Sequence, residues 1–252
     1  MTDVAPDPVE EVRRLLTAAN GSAVPVRAIG GVAVALIAPT IGRLSPTRTY
    51  HDIDLAATGP AGPVSELLGG HGYEAARRFN ALNGSERLLF HDPAGRRVDV
   101  FIGTLRMCHT LPFATRIATH AWTLPPADLV LSKLQIVELT ERDAQDLLAL
   151  LADHPLTPSD GDGIAIDRIE AVCGGDWGWW RTVDDNLRRL IERWRAERLA
   201  AAADSAAILE RGIERAVGLR GVLADAPRSV GWRLRAIVGP RVRWYDEPEE
   251  VR

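Results

Sequence analysis

Every strand-like run in this chain falls before residue 103. Short apolar or β-branched runs at 23–29, 52–57, 73–80, 86–92 and 97–102 read as strands. The pair Asn83-Gly84 between the third and fourth runs is a turn signal. Helical patterns fill the gaps, at 7–19, in VAVALIA after Gly30-Gly31, and near 61–70. Pro125-Pro126 open a helical stretch, ADLVLSKLQIVELT, and a further helix spans about 141–152. Residues 153–163 are rich in Pro, Asp and Gly and read as a linker. Beyond them the chain reads as wholly helical, with Thr182 and Asp185 placed as a capping box. The expectation is an α+β fold. A mixed sheet with flanking helices spans 1–153, and a helical domain spans 163–252.

Composition narrows the class. A chain of 252 residues, 46% apolar and 25% charged, buries a proper core and is neither disordered nor collagen-like. No apolar stretch is long enough for a membrane span. The acidic start, MTDVAPDPVEEVRR, lacks the apolar region of a signal peptide. Cys108 and Cys173 are too few for a zinc site or a disulfide framework, so reduced thiols and a cytoplasmic location are expected. The net charge of -4 argues against a protein that coats nucleic acid. Of the 30 basic side chains only one, Lys133, is a lysine. Lysine is a mobile point charge and arginine a rigid planar fork, so the exception marks a place where an ammonium is wanted.

Three acids stand out for their setting. Asp52 and Asp54 flank Ile53 at the start of a strand, and residues two apart on a strand share a face. Asp99 lies between Val98 and Val100, where an acid is costly without compensation. Clustered carboxylates suit hard divalent cations such as Mg²⁺. A two-metal site of this kind activates an attacking oxygen and stabilises a leaving pyrophosphate. Gly30-Gly31, between a strand and a helix, lets backbone N–H groups approach phosphate oxygens.

The order Gly30-Gly31, then Asp52-Ile53-Asp54-Leu55, then Val98-Asp99-Val100 resembles the polymerase-β-type nucleotidyltransferase superfamily. The later pattern Lys133-Leu134-Gln135, Arg142-Asp143 and Asp146-Leu147 resembles the AbiEii-like nucleotidyltransferases, toxins of abortive-infection and toxin–antitoxin systems. The resemblance covers roughly residues 25–150. It implies a nucleotidyltransferase-fold sheet, with two Mg²⁺ ions as cofactor and an NTP as substrate. It implies metal binding by Asp52 and Asp54, with Asp99 completing the site and helping to activate the acceptor hydroxyl. Gly30, Gly31, Arg48 and Lys133 would contact the nucleotide. Asp143 would be the acid of the last motif, with Arg142 and Asp146 in support. The chain departs from the pattern in two ways. Gly-Gly replaces the usual glycine-serine pair, and the loop from Gly31 to Asp52, with Pro39 and Pro46, is long.

Plainer readings compete. D-x-D at a strand start is also a cap or turn motif, and Asp143 and Asp146 near a helix start favour its dipole. Lysine on an amphipathic helix is usually a solvated one. His51 reads as a loop residue. Trp177, Trp179 and Trp180 read as packing aromatics before base-stacking ones. The arginines at 188, 189, 193, 195 and 198 read as a solvated face, or as contacts to a polyanion such as tRNA. The main expectation is transfer of a nucleoside monophosphate from NTP to an RNA hydroxyl such as a tRNA 3′ end, with an antitoxin protein as partner and no membrane. The alternatives are transfer to a small-molecule acceptor of the aminoglycoside or lincosamide type, or a degenerate nucleotide-binding module.

Overall fold

The computed structural model describes residues 4–22 and 24–247. They group into two compact units. One holds the residues up to Ile37, Thr47–Leu105 and Leu111–Pro125. The other holds Ala38–Pro46, Arg106–Thr110 and Pro126 onward.

In the first unit, α1 (Pro8–Asn20) starts where the Asp7 side chain accepts from the Val9 and Glu10 N–H groups, and it buries Val12, Leu15 and Leu16. β1 (Val26–Ile29) runs directly into α2 (Gly30–Ile37). After α3 (Thr40–Leu44), which belongs to the other unit, come β2 (Asp52–Ala57), α4 (Ala61–Gly70), β3 (Glu74–Ala75), α5 (Arg77–Asn83), β4 (Arg87–His91) and β5 (Arg97–Ile102). The five strands form one sheet in the order β1-β2-β5-β4-β3. β2 and β5 are parallel and the other pairs antiparallel, so the sheet is mixed. The period of two divides its faces. Ile53, Leu55, Val98, Val100, Leu88 and Phe90 are fully buried on one. Asp52, Asp54, Arg97 and Asp99 lie on the other. A ribbon of β6 (Thr104–Arg106) and β7 (Thr110–Pro112) follows.

The second unit is helical. It contains α3, α6 (Pro126–Leu134) and α7 (Glu141–Asp153), then the two-residue strands β8 (Leu156–Thr157) and β9 (Ile164–Ala165). These lead to α8 (Ile166–Gly175), α9 (Trp177–Ala200), α10 (Ala203–Asp225) and α11 (Val230–Val238). Thr40 ties α3 to the end of α7, donating from its backbone N–H and its hydroxyl to the Asp153 carboxylate. Among the described residues no helix is long and apolar enough to cross a membrane.

The mixed α/β composition and the helix-rich C-terminal part match expectation; several details do not. The division falls at Pro125–Pro126, and the Pro/Asp/Gly-rich stretch at 153–163 lies inside the second unit, where it holds β8 and leads into β9. The expected first strand begins at Val26, and Ala23 lies outside the described residues. The expected loop between Gly31 and Asp52 contains α3. The run at 73–80 is a strand for only two residues before α5 takes over. RRFNALN has no β-branched residue and favours helix. The Asn80 side chain then does a strand's work, accepting from Leu89 N–H and donating to Leu89 C=O. Asn83-Gly84 is consequently a helix end, not a hairpin turn. α9 begins five residues before Thr182, just after Asp176, whose side chain accepts from the Gly178 and Trp179 N–H groups. The capping box in this region is instead Thr140 with Asp143, at the start of α7.

Candidate functional site

The carboxylates of the first unit are set by strand register. Asp54 pairs with Ile29 on one side and with Asp99 on the other, on an interior strand of the sheet. Asp52 is two residues earlier on the same face and is exposed. Adjacent strands are about 4.8 Å apart, so Asp54 and Asp99 sit side by side.

Gly30 and Gly31 shape the space around Asp54. Gly30 has φ +68°, a left-handed conformation that opens α2 directly from β1. A Cβ there would lie 2.4 Å from Asp54 Oδ2. A Cβ on Gly31 would lie 2.9 Å from an Arg48 Nη2 and 3.3 Å from the Tyr50 ring. The guanidinium of Arg48 also lies over that ring, 5.1 Å from its centroid. The glycine pair therefore makes room for two side chains, an acid and a base, beside the first turn of α2.

Asp99 is buried, and both of its oxygens are taken. Arg87 donates to Oδ1 from Nε at 2.9 Å and from Nη2 at 2.8 Å. Arg97 donates to Oδ2 from Nε at 2.8 Å. Arg87 also lies over the Phe101 ring, 4.9 Å from its centroid. The compensation that an acid inside an apolar strand requires thus comes from two arginines. Sequence reasoning missed both. Arg97 was within reach, two residues before Asp99 on the same strand face. Arg87 requires the antiparallel register of β4 against β5.

Among the described residues no group of three or more His, Cys, Asp or Glu side chains converges as a metal cage. Of the expected trio, Asp54 and Asp99 are register partners, Asp52 is two residues before Asp54, and Asp99 is ion-paired to Arg87 and Arg97. Asp52 and Asp54 still fit Mg²⁺, which is commonly held by one or two carboxylates together with substrate phosphates. Both offer hard oxygen ligands on one face, and the bare Cα of Gly30 lets the Asp54 carboxylate lie against the start of α2.

Lys133, Asp143 and Asp146 lie in the second unit. The Lys133 ammonium meets Asp143 Oδ1 and Asp146 Oδ2, each at 2.9 Å, joining α6 to α7. Burial alone would depress the lysine, but the two carboxylates hold it above its usual range. Burial alone would raise Asp143, but Lys133 and the hydrogen bonds from Thr140 hold its carboxyl low. The sole lysine of the chain is thus a partly buried clip between helices, with 15% of its side chain exposed.

The remaining candidates have structural partners. The arginines of α9 include Arg188, paired with Asp185 and Glu192, Arg193 with Glu141 and Glu197, and Arg198 with Glu210. Trp177 and Trp179 are buried, and Trp180 packs edge-on against Trp232. The Thr182 hydroxyl accepts from Trp244 Nε1 at 3.0 Å and lies 2.9 Å from His109 Nε2. Cys108 and Cys173 are both buried as free thiols. Compared with known protein families and with characterised proteins, the chain matches no family model and no characterised sequence.

Proposed function

We propose that the first unit is the catalytic half of a nucleotidyltransferase. It would move a nucleoside monophosphate from an NTP to an acceptor hydroxyl and release pyrophosphate. The observation that carries this reading is the seat of Asp54. The carboxylate lies on an interior strand, beside Asp99 in register and two residues from Asp52 on the same strand face, against a left-handed glycine that opens a helix. Two carboxylates two residues apart on one strand face supply the hard oxygen ligands that a divalent cation takes together with substrate phosphates.

Asp52 and Asp54 would hold the cation. When bound, Mg²⁺ polarises the phosphoryl group under attack and offsets the charge of the leaving pyrophosphate. The first turn of α2 directs backbone N–H groups and its partial positive charge at the triphosphate. Arg48, beside Gly31, adds a planar guanidinium to the same end of the helix. Lys133 and Asp143, to which the resemblance gives nucleotide-site roles, lie in the second unit and pair with each other there. The same resemblance gives an RNA end, such as that of tRNA, as acceptor, and a toxin–antitoxin setting with an antitoxin partner.

The test is incubation with Mg²⁺ and each labelled NTP, offering total tRNA in one series and small hydroxyl compounds in another. Label should enter one acceptor class, and Asp54→Ala should lower the rate by about a hundredfold or more. Absence of both label transfer and Mg²⁺-dependent NTP binding would overturn the reading. Lys133→Arg keeps the charge and changes its shape. Full activity in that variant would remove Lys133 from the machinery and leave the rest intact.

A further inference from the structure

We propose that a hollow in the second unit holds an unpaired guanine base of a single-stranded RNA. The site rests on the nucleotidyl-transfer reading for the role of that RNA, as acceptor, and deepens it by naming a base. The hollow offers about 570 Å³ between the β6–β7 turn, the start of α9 and the segment after α11, all within the second unit. Three rings, those of Trp179, Trp244 and Tyr245, line it. Unpaired bases stack on such rings and are read by hydrogen bonds to their edges. The Trp244 ring is fixed before any ligand arrives. Its N–H donates to the Thr182 hydroxyl at 3.0 Å, and it packs edge-on against Trp177 and Tyr245. Arg235 ties the segment that carries it back to α11, donating to the Gly239 and Val242 carbonyls at 2.6 Å each.

The polar groups around the rings are of both signs. Asp176 gives Oδ1 to the cap of α9, and Asp246 is anchored by its backbone N–H to the Cys108 carbonyl at 2.9 Å. Among the described residues, Asp176 Oδ2 and the Asp246 carboxylate accept no hydrogen bond. Arg243 lies over the Tyr245 ring and meets Glu247 through Nη2, while its Nε and Nη1 make no hydrogen bond among the described residues. Asp246 and Arg243 attract one another without pairing. His109, also on the wall, is kept neutral at pH 7 by burial. Two carboxylates therefore face two guanidiniums, with Glu247 beside one of them. Such a balance gives the phosphates of a free nucleotide no positive excess to settle on, and it favours a neutral base carried on a strand. Guanine matches the set. Its O6 and N7 are adjacent acceptors for a guanidinium fork. Its N1 and N2 are adjacent donors for a carboxylate, and no other common base offers two adjacent donors.

The experiment is fluorescence-anisotropy titration of the full chain with the labelled pentanucleotides UUGUU and UUAUU, without Mg²⁺ or NTP. The unaltered chain should bind UUGUU about tenfold or more tightly than UUAUU. Asp246→Ala and Arg243→Gln change exposed side chains and should each bring that ratio toward one. Arg198→Gln, an equal loss of charge on another part of α9, should leave it unchanged, and thermal unfolding checks that each variant folds. Should Arg243→Gln unfold, Asp246→Ala decides by the same criterion. Unlabelled guanosine 5′-monophosphate, added as competitor, should bind more weakly than UUGUU. Equal or tighter binding gives the hollow to a free nucleotide and overturns its assignment to RNA. Absence of strand binding, a ratio of one in the unaltered chain, or a ratio unchanged in both variants overturns the proposal. Guanine preference without any nucleotidyl transfer would leave this site standing and remove the reading above. Transfer without guanine preference would remove this site alone.

Discussion

Gly30 and Gly31 are neighbours under different constraints, and alanine at each separates them. At Gly30, alanine must adopt a left-handed backbone, which costs about 1–2 kcal/mol. Its Cβ also displaces Asp54, which lies 2.4 Å away. At Gly31 no left-handed angle is required, and the obstructing atom is the mobile end of Arg48. Replacing glycine inside a helix adds about 0.5–1 kcal/mol of stability, which offsets moving the guanidinium. Urea denaturation should therefore show Gly30→Ala clearly destabilised and Gly31→Ala close to the unaltered chain. Both should weaken NTP binding. Equal destabilisation of the two variants would contradict this assignment. The sequence makes the glycine pair and the D-x-D visible, because both are local. It does not show that the missing Cβ atoms are replaced by Asp54 and Arg48, since those contacts arise only when β1, β2 and α2 meet.

At the scale of elements, α6 and α7 are joined by a charged clip whose pH range follows from its two ends. The folded state holds the Asp143 carboxyl below its ordinary 3.8. Its contribution is therefore present above that value and lost as pH falls through the lower folded one. The folded state holds the Lys133 ammonium above its ordinary 10.5. Its contribution is present below that value and lost as pH rises through the higher folded one. Stability measured by urea denaturation should thus fall at both extremes, and Asp143→Asn should flatten the acid limb. Lys133→Met takes the ammonium from beside the fully buried Asp146 and should cost about 3–5 kcal/mol. Removing the exposed pair through Arg198→Ala should cost less than about 1 kcal/mol. A Lys133→Met variant as stable as the unaltered chain would show that the clip contributes nothing.

The same scale explains a misreading. Thr182 with Asp185 and Thr140 with Asp143 have the same T-x-x-D spacing, and only the second is a capping box. Asp176 already starts α9, so Thr182 falls inside the helix, where its hydroxyl serves His109 and Trp244. Spacing marks where a helix can begin. An earlier capping residue and tertiary burial decide whether it does.

Across the whole molecule, the sequence shows two halves but not their boundaries. Ala38–Pro46 and Arg106–Thr110 leave the first part of the chain and join the second unit. Local composition has no means of marking a segment that returns to a partner far along the chain. The Pro- and Gly-rich stretch at 153–163 is locally irregular, and irregularity alone does not make a boundary. The candidate carboxylates were legible because strand period aligns Asp52 with Asp54 and because Asp99 lies between two valines, while the parallel register that puts Asp54 beside Asp99 is seen only in the fold. The arginines on Asp99 were not, since one of them comes from a strand whose pairing the sequence leaves open.

Global stability offers a test of the cation site that needs no substrate. A ligand that binds only the folded state stabilises the whole chain, by about 2.7 kcal/mol at a hundred times its Kd. Mg²⁺ should therefore raise the unfolding temperature of the unaltered protein. Asp52 is exposed, with Asp54 two residues on and Arg97 opposite it on β5, so Asp52→Asn removes one repulsion and one attraction, each small at an exposed site. Without metal, that variant should be close in stability to the unaltered chain. With metal, it should lose most of the rise. A purely structural carboxylate behaves the opposite way, costing stability when neutralised and leaving the response to Mg²⁺ intact. Thermal unfolding of both proteins with Mg²⁺ and with a chelator distinguishes these cases. An equal rise in the variant would mean that Asp52 holds no cation and that the pair at the start of β2 needs another explanation.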